Sequence, residues 1–192
     1  EVITLWMGLG YNRRAKYLYD ASKVLVQKDF PREVEQLVVL KGVSKNTASA
    51  ILTYAFNQKH VFVETNIRTV IIDAFFANKE AVTDKEIEVK LAELLKEYRG
   101  SYRDFYWALM DYGTFLKKSG NKAHKRSSTY KKQARFQGSV RQLRGELLRR
   151  AQAKQSLAQV RADLPDKRLE SVLSTLVQEG LIRVTETTIE LA

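Results

Sequence analysis

Leu40-Lys41-Gly42-Val43-Ser44-Lys45-Asn46-Thr47 is the stretch on which the fold of this chain turns. It separates a short helical segment, Glu33 to Leu40, from a longer one whose apolar positions Ala48, Ile51, Leu52, Ala55 and Phe56 recur at helical spacing. Gly42 supplies the turn and Ser44 can cap the second helix. A helix, a Gly-containing hairpin and a helix together present unpaired N–H groups and the positive end of a helix dipole, and Lys41 and Lys45 add charge, so the turn suits a phosphate. Any αα-hairpin uses such a turn, so the flanking sequence has to decide what it is for.

Outward from the hairpin, helical periodicity governs the first two thirds of the chain. Toward the N-terminus, Asn12 to Lys28 places Ala15, Leu18, Ser22, Leu25 and Val26 on one face, and Phe30-Pro31 ends that helix. Toward the C-terminus, His60 to Thr65 is extended, and Asn66 to Ala77 returns to helix with Ile67, Val70, Ile71, Ala74 and Phe75 inward. Thr83-Asp84-Lys85-Glu86 is a capping box that opens a helix with Ile87, Leu91, Leu94, Leu95 and Tyr98 on its apolar side. Ser101 opens the next, with Phe105, Ala108, Leu109, Tyr112, Phe115 and Leu116 inward. Between Lys118 and Gly138 the apolar rhythm gives way to Ser, Lys, Asn and Arg. From Ser139 a second pattern begins, with helices expected over Val140 to Ala151, Leu157 to Asp163 and Pro165 to Glu179, the last stopped by Gly180. Leu181 to Val184 and Thr188 to Leu191 then alternate like the strands of a hairpin. Three helices and a terminal hairpin make a winged-helix pattern, which serves DNA-groove binding and protein docking about equally. The expected fold is mainly α, with a helical domain over 1–117, a basic linker over 118–138 and a small α+β winged-helix unit over 139–192.

Composition excludes several kinds of protein. The 192 residues contain no Cys, which removes disulfides, thiolate nucleophiles and Cys-ligated zinc or iron–sulfur clusters. His60 and His124 have no partner at metal-ligand spacing, so no metal site is expected. No stretch is long and apolar enough for a membrane helix, and the expected setting is intracellular, cytoplasmic and close to the nucleoid. The formal net charge of +11 is concentrated: residues 115–150 hold twelve of the 33 Lys and Arg and one of the 22 acids, which leaves 21 of each sign elsewhere. Such a local excess is the footprint a polyanion selects, and Lys125, Arg126, Lys131 and Lys132 are its expected DNA contacts.

Two further segments make the hairpin specific. Trp6-Met7-Gly8-Leu9-Gly10-Tyr11-Asn12-Arg13-Arg14-Ala15 precedes it, and Val63-Glu64-Thr65-Asn66-Ile67-Arg68 follows it, ahead of Met110-Asp111-Tyr112-Gly113. In this order they resemble the helix-hairpin-helix DNA glycosylases of the endonuclease III superfamily, most closely the adenine glycosylases of MutY type, over about Glu1 to Leu116. The resemblance implies a base-excision enzyme that flips a mispaired or damaged base out of double-stranded DNA, adenine opposite 8-oxoguanine or guanine, and hydrolyses its glycosidic bond. It implies that the hairpin residues Lys41, Gly42, Val43, Ser44, Lys45, Asn46 and Thr47 bind the phosphate backbone, and that the loop Gly8 to Tyr11 lies where the family inserts into the duplex. Gly10, Tyr11, Asn12 and Arg13 are accordingly expected to touch DNA. It also implies that Glu64 stands at the place of the catalytic carboxylate, where a preorganised charge stabilises the oxocarbenium-like sugar.

The sequence departs from the family at several of these places. A Glu replaces the Asp expected at position 64, and Ser44 replaces the second hairpin glycine. Asn46 occupies the position of the lyase lysine, so a Schiff-base reaction is not expected. The cluster cysteines would fall at Lys117, His124, Ser127 and Gln133, so no iron–sulfur cluster is expected. The glutamate that protonates the purine would lie before Glu1, on an upstream segment or a separate chain. The rival expectation is a non-catalytic DNA-binding or repair-scaffold protein. A winged-helix regulator would explain the C-terminus alone.

Overall fold

The computed structural model describes residues 1–27 and 29–192. Helices α1 (Val2–Leu5) and α2 (Arg13–Leu25) open the chain, followed by α3 (Val34–Leu37), α4 (Lys45–Phe56), α5 (Thr65–Phe75), α6 (Asp84–Glu97) and α7 (Tyr102–Lys118). After a 3₁₀ turn over Ala123–Arg126 come α8 (Val140–Gln152), α9 (Leu157–Asp163), α10 (Leu169–Gln178) and the strands β1 (Ile182–Val184) and β2 (Ile189–Leu191). The chain is mainly α, as its periodicity requires. Its residues form two compact units, one over Phe30–Lys132 and one joining Glu1–Asp29 to Gln133–Ala192.

The unit Phe30–Lys132 is built around α5, which packs against α7, α6 and the 3₁₀ turn. Its core includes Phe62, Ile67, Ile71, Ile72, Ile87, Leu91, Leu95 and Tyr106, each essentially without solvent contact. The capping box forms as the sequence requires: the Thr83 hydroxyl accepts the Glu86 amide, and the Glu86 carboxylate accepts the Thr83 amide. The Ser44 and Ser101 hydroxyls accept the Thr47 and Asp104 amides and so cap α4 and α7 without the reciprocal arm. Residues 119–130 are tied to the helices. Val82 and Ser127 form a bridge, Asn121 donates to Asp73 at 2.7 Å, and Arg126 reaches the carbonyls that follow α5. The apolar faces are less complete than the periodicity suggests, since Phe75, Tyr112 and Phe115 are exposed although their spacing points inward.

In the other unit, α8, α9 and α10 enclose Leu143, Leu147, Val160, Val172, Leu176 and Ile189, and β1 pairs antiparallel with β2 in the register Ile182 to Leu191. An isolated antiparallel bridge joins Ser156 to Thr188, and Gly180 stops α10 with φ +65°. Three helices followed by a two-stranded hairpin stand in the order read from the sequence. The core of this unit also receives Ile3 and Met7, so the residues around α1 pack on it. In space, then, residues 1–29 group with 133–192, whereas the sequence resemblance groups them with the central helices. On α2 only Ala15 is buried; Leu18 and Val26 are exposed, against the inward face read from their spacing. Lys28, where the spacing closes that helix, lies outside the described residues.

Candidate functional site

The hairpin forms from local signals. Val43 N–H closes the turn on Leu40 O at 3.0 Å, with Gly42 at φ +86°, a conformation that favours glycine. Ser44 is extended and its hydroxyl accepts the Thr47 amide at 3.2 Å. The amides of Lys45 and Asn46 begin α4 and have no carbonyl within that helix to bond. Lys41, Gly42, Ser44, Lys45, Asn46 and Thr47 are all exposed and Val43 is half-buried.

After α4, Asn57 adopts the left-handed conformation that ends the helix, and residues 58–64 form neither helix nor strand. Backbone amides in such a segment must find side-chain partners. Val63 N–H donates to Asn46 Oδ1 at 2.9 Å, and the Tyr106 hydroxyl donates to His60 O at 2.9 Å while its ring stacks on Phe62 at 4.0 Å. The segment therefore ends beside the first turn of α4, where it delivers Glu64.

Glu64 is the N-cap of α5, yet its side chain makes no capping bond, and among the described residues that side chain has no hydrogen bond or ion pair. It is half-buried in an open cleft of about 400 Å³ lined by Val63, Glu64, Thr65, Asn66, Arg68 and Met110. The cleft is rigidly framed. Asn66 Nδ2 donates to Met110 O at 3.1 Å and to Thr114 Oγ1 at 2.8 Å, and a Cβ on Gly113 would sit 2.4 Å from Asn66 O, so α5 and α7 touch backbone to backbone. Arg68 lines the cleft but donates Nε and Nη2 to the two carboxylate oxygens of Asp84, at 2.8 and 2.9 Å, so its charge is already matched. Tyr54, stacked on Trp107 and edge-on to Phe62, has its phenol pushed up to about 12, by burial first and then by the charge of Glu64. The phenol therefore keeps its proton at neutral pH. An unpaired carboxylate in a walled cleft can stabilise a cation that develops beside it.

The remaining expected contacts fall in different places. Gly10, Tyr11, Asn12 and Arg13 belong to the unit that holds α8, α9 and α10. Gly8 (φ +86°), Gly10 (φ +70°) and Tyr11 (φ +49°) all take left-handed backbone, and Trp6 Nε1–H pins the loop through Gly10 O at 2.9 Å. Tyr11 is 70% exposed at its tip, with Arg14 over its ring. Asn12 caps α2 without a side-chain bond, and Arg13 pairs with Glu179 at 3.4 Å. Lys125, Lys131 and Lys132 are exposed. Arg126 is committed within its own unit, to the carbonyls of Phe76, Ala77 and Lys79. Other cations of the basic stretch are matched as well: Arg144 by Glu179, Arg149 by Glu146, and Arg150 by Glu146 and Asp163. The exposed face of α10 carries Glu170, Ser171, Ser174, Thr175, Val177 and Gln178 and no cation, which is a poor surface for a DNA groove.

The positions that correspond to cluster ligands do not fit iron and sulfide. Lys117, Ser127 and Gln133 offer an ammonium, a hydroxyl and an amide, and the Ser127 hydroxyl is bonded to Thr129. His124 Nδ1 is buried without a partner, and burial followed by the neighbouring charges of Lys117 and Lys125 lowers its basicity. Among the described residues no group of His, Cys, Asp and Glu could hold a metal ion. Sequence reasoning missed the Asn46–Val63 bond and the Asn66 anchor, because their partners lie 17 to 48 residues away and leave no local pattern, and it missed Tyr54, whose stacking on Trp107 is likewise made by folding.

An exposed helical hairpin is thus tied through Val63 to a carboxylate at the start of α5 that has no hydrogen bond or ion pair among the described residues. Comparison with curated proteins finds similar chains. The chain is similar to an adenine DNA glycosylase of Buchnera aphidicola subsp. Baizongia pistaciae, 33% identical over 121 residues, covering 60% of this chain and 34% of that protein. It is 35% identical over 121 residues to an adenine DNA glycosylase of Arabidopsis thaliana, covering 60% of this chain and 19% of that one. A third, from Mycobacterium tuberculosis, is 36% identical over 84 residues, covering 42% and 28%. No family model matches the chain. Over the aligned part, the chain is similar to adenine DNA glycosylases. It spans about a third or less of the length of these proteins.

Proposed function

We propose that this protein excises adenine from mispairs in double-stranded DNA, opposite 8-oxoguanine or guanine, as a monofunctional glycosylase inside the cell. The observation that carries this reading is Glu64, whose carboxylate has no hydrogen bond or ion pair among the described residues, held in a walled cleft and tied through Val63 to the hairpin. The hairpin amides and Lys45 hold the backbone beside an extruded nucleotide. As the bond between C1′ and the base nitrogen breaks, its electron pair leaves with the base and the sugar becomes cationic. Glu64 stabilises that cation until water adds its hydroxyl to C1′, and the water proton goes with the base. Protonation of the leaving purine is the work of a group the cleft does not contain, on an upstream segment or a second chain. Asn46 has no amine, so the product is an intact abasic strand. We further propose that the fold needs no iron–sulfur cluster, since Arg126 and its carbonyls organise the corresponding region.

The test is single-turnover excision by the full-length protein on duplexes with adenine opposite 8-oxoguanine or guanine. Glu64→Gln should slow excision about a hundredfold or more. Its duplex affinity and Tm should hardly change, because Glu64 makes no capping bond to lose. Duplex binding by the unaltered protein without any base release would establish the scaffold reading instead.

A further inference from the structure

We infer that Asn46 is a positioning residue, which holds the backbone of the Glu64 segment against the DNA-binding hairpin and does not itself chiefly grip DNA. This rests on the glycosylase reading. Residues 58–64 belong to no helix and no sheet, so nothing like a strand ladder fixes them. The amides of the two buried residues before Glu64 are bonded by side chains alone. Phe62 N–H reaches the Tyr106 hydroxyl at a long 3.4 Å, whereas Val63 N–H makes a 2.9 Å bond to Asn46 Oδ1. The shorter bond is the one adjacent to Glu64, and it originates in the first turn of the helix that the hairpin opens. One carboxamide thereby couples the phosphate-binding element to the carboxylate.

The chemistry of the residue is specific. A lysine at this position carries donors only and could not accept the Val63 amide, and an alanine leaves that amide without its partner. Because Oδ1 is used inward, Nδ2 is the only part of the group left for DNA, a weak contact beside Lys45 and the free amides. Displacing a catalytic group by about 1 Å can cost about a hundredfold in rate, so loosening this bond should register in the chemical step.

The experiment compares Asn46→Ala and Asn46→Asp with the full-length wild type. It measures the single-turnover rate at saturating enzyme, the affinity for abasic product duplex, and amide hydrogen exchange at Val63 by NMR. Asn46→Ala should accelerate Val63 exchange and slow excision about 10- to 100-fold, with product affinity within about twofold of wild type. Asn46→Asp restores an acceptor at the same reach, so it should recover Val63 protection and most of the missing rate. If Asn46→Ala instead loses affinity while its rate at saturation and its Val63 exchange stay normal, Asn46 is only a DNA contact and the inference falls. If both variants exchange Val63 like wild type, it falls as well, whatever the activity. Should the wild type release no base, the glycosylase reading fails, and faster Val63 exchange in Asn46→Ala would still show the coupling.

Discussion

The guanidinium of Arg126 donates to the carbonyl oxygen of Phe76 at 2.6 Å, at the point where α5 ends. The same nitrogen also reaches Ala77 O at 2.8 Å and Lys79 O at 3.1 Å, and its neighbour reaches Ile72 O at 3.4 Å. A fixed cationic fork over the carbonyl end of a helix matches both the orphan acceptors and the helix dipole.

Replacing Arg126 should therefore destabilise the fold. Arg126→Gln is expected to cost about 2–3 kcal/mol in urea unfolding, the range for charged hydrogen bonds that leave acceptors unsatisfied. Arg126→Lys keeps the charge but cannot fork across three carbonyls, and it should lose at least half as much. A lysine variant as stable as wild type would mean that only the charge matters.

Two glycines should respond in opposite directions. A methyl on Gly113 meets Asn66 O at 2.4 Å, so Gly113→Ala should destabilise by about 3 kcal/mol through forced separation of α5 and α7. Gly145, within α8, has open space around its Cβ position, and Gly145→Ala should stabilise by about 0.5–1 kcal/mol. Equal effects of the two changes in chemical denaturation would refute the packing account.

Stability should carry an acid-side signature from Glu86. The hydrogen bond from Lys79, then those from the Thr83 backbone and hydroxyl, hold its carboxyl down at about 2, against an ordinary 4.5. A folded-state value below the unfolded one means that the contribution is complete above about pH 4.5 and fades as pH falls toward 2. Glu86→Gln should thus melt below wild type at pH 7, and the gap in Tm should be clearly narrower at pH 3. A gap that is constant over that range would rule out the ionised form as its source.

The salt dependence of duplex binding should divide the basic residues into two sets. Lys125, Lys131 and Lys132 are exposed, and changing them to Ser should flatten the log–log slope by up to about 0.9 for each phosphate that is no longer neutralised. Arg149→Ser should leave the slope nearly unchanged, because Arg149 already faces Glu146 at 2.7 Å. If Arg149 contributed as much as the lysines, the whole stretch would act as one undifferentiated charge.

Features encoded within four residues are legible in the sequence. The Thr83–Glu86 box, the Ser44 and Ser101 caps, the bounds of α9 and the terminal hairpin all appear where local chemistry requires them. The place of Glu64, at the seam between residues 58–64 and α5, is legible for the same reason. Charge is harder to read, because a count along the chain cannot see that Arg144 and Arg150 meet Glu179 and Asp163 through folding. Arg126 stands among the expected DNA contacts, while its carbonyl partners lie 47 to 54 residues earlier. Periodicity likewise marks a side of a helix as apolar without saying that a neighbour covers it, as exposed Leu18 and Phe115 show.

The loop after Trp6 has a consequence for chemical synthesis. Gly8 and Gly10 both hold positive φ, and at each of them the site of an L-residue's Cβ is empty, so backbone handedness rather than crowding excludes other L-residues. A mirror-image amino acid prefers that handedness. A semisynthetic protein with D-alanine at Gly8 or Gly10 should hold the loop shape with a smaller unfolded ensemble to restrain, while L-alanine at the same atom count should distort it. Stereochemistry at one α-carbon would then separate the shape of this loop from the side chains it displays.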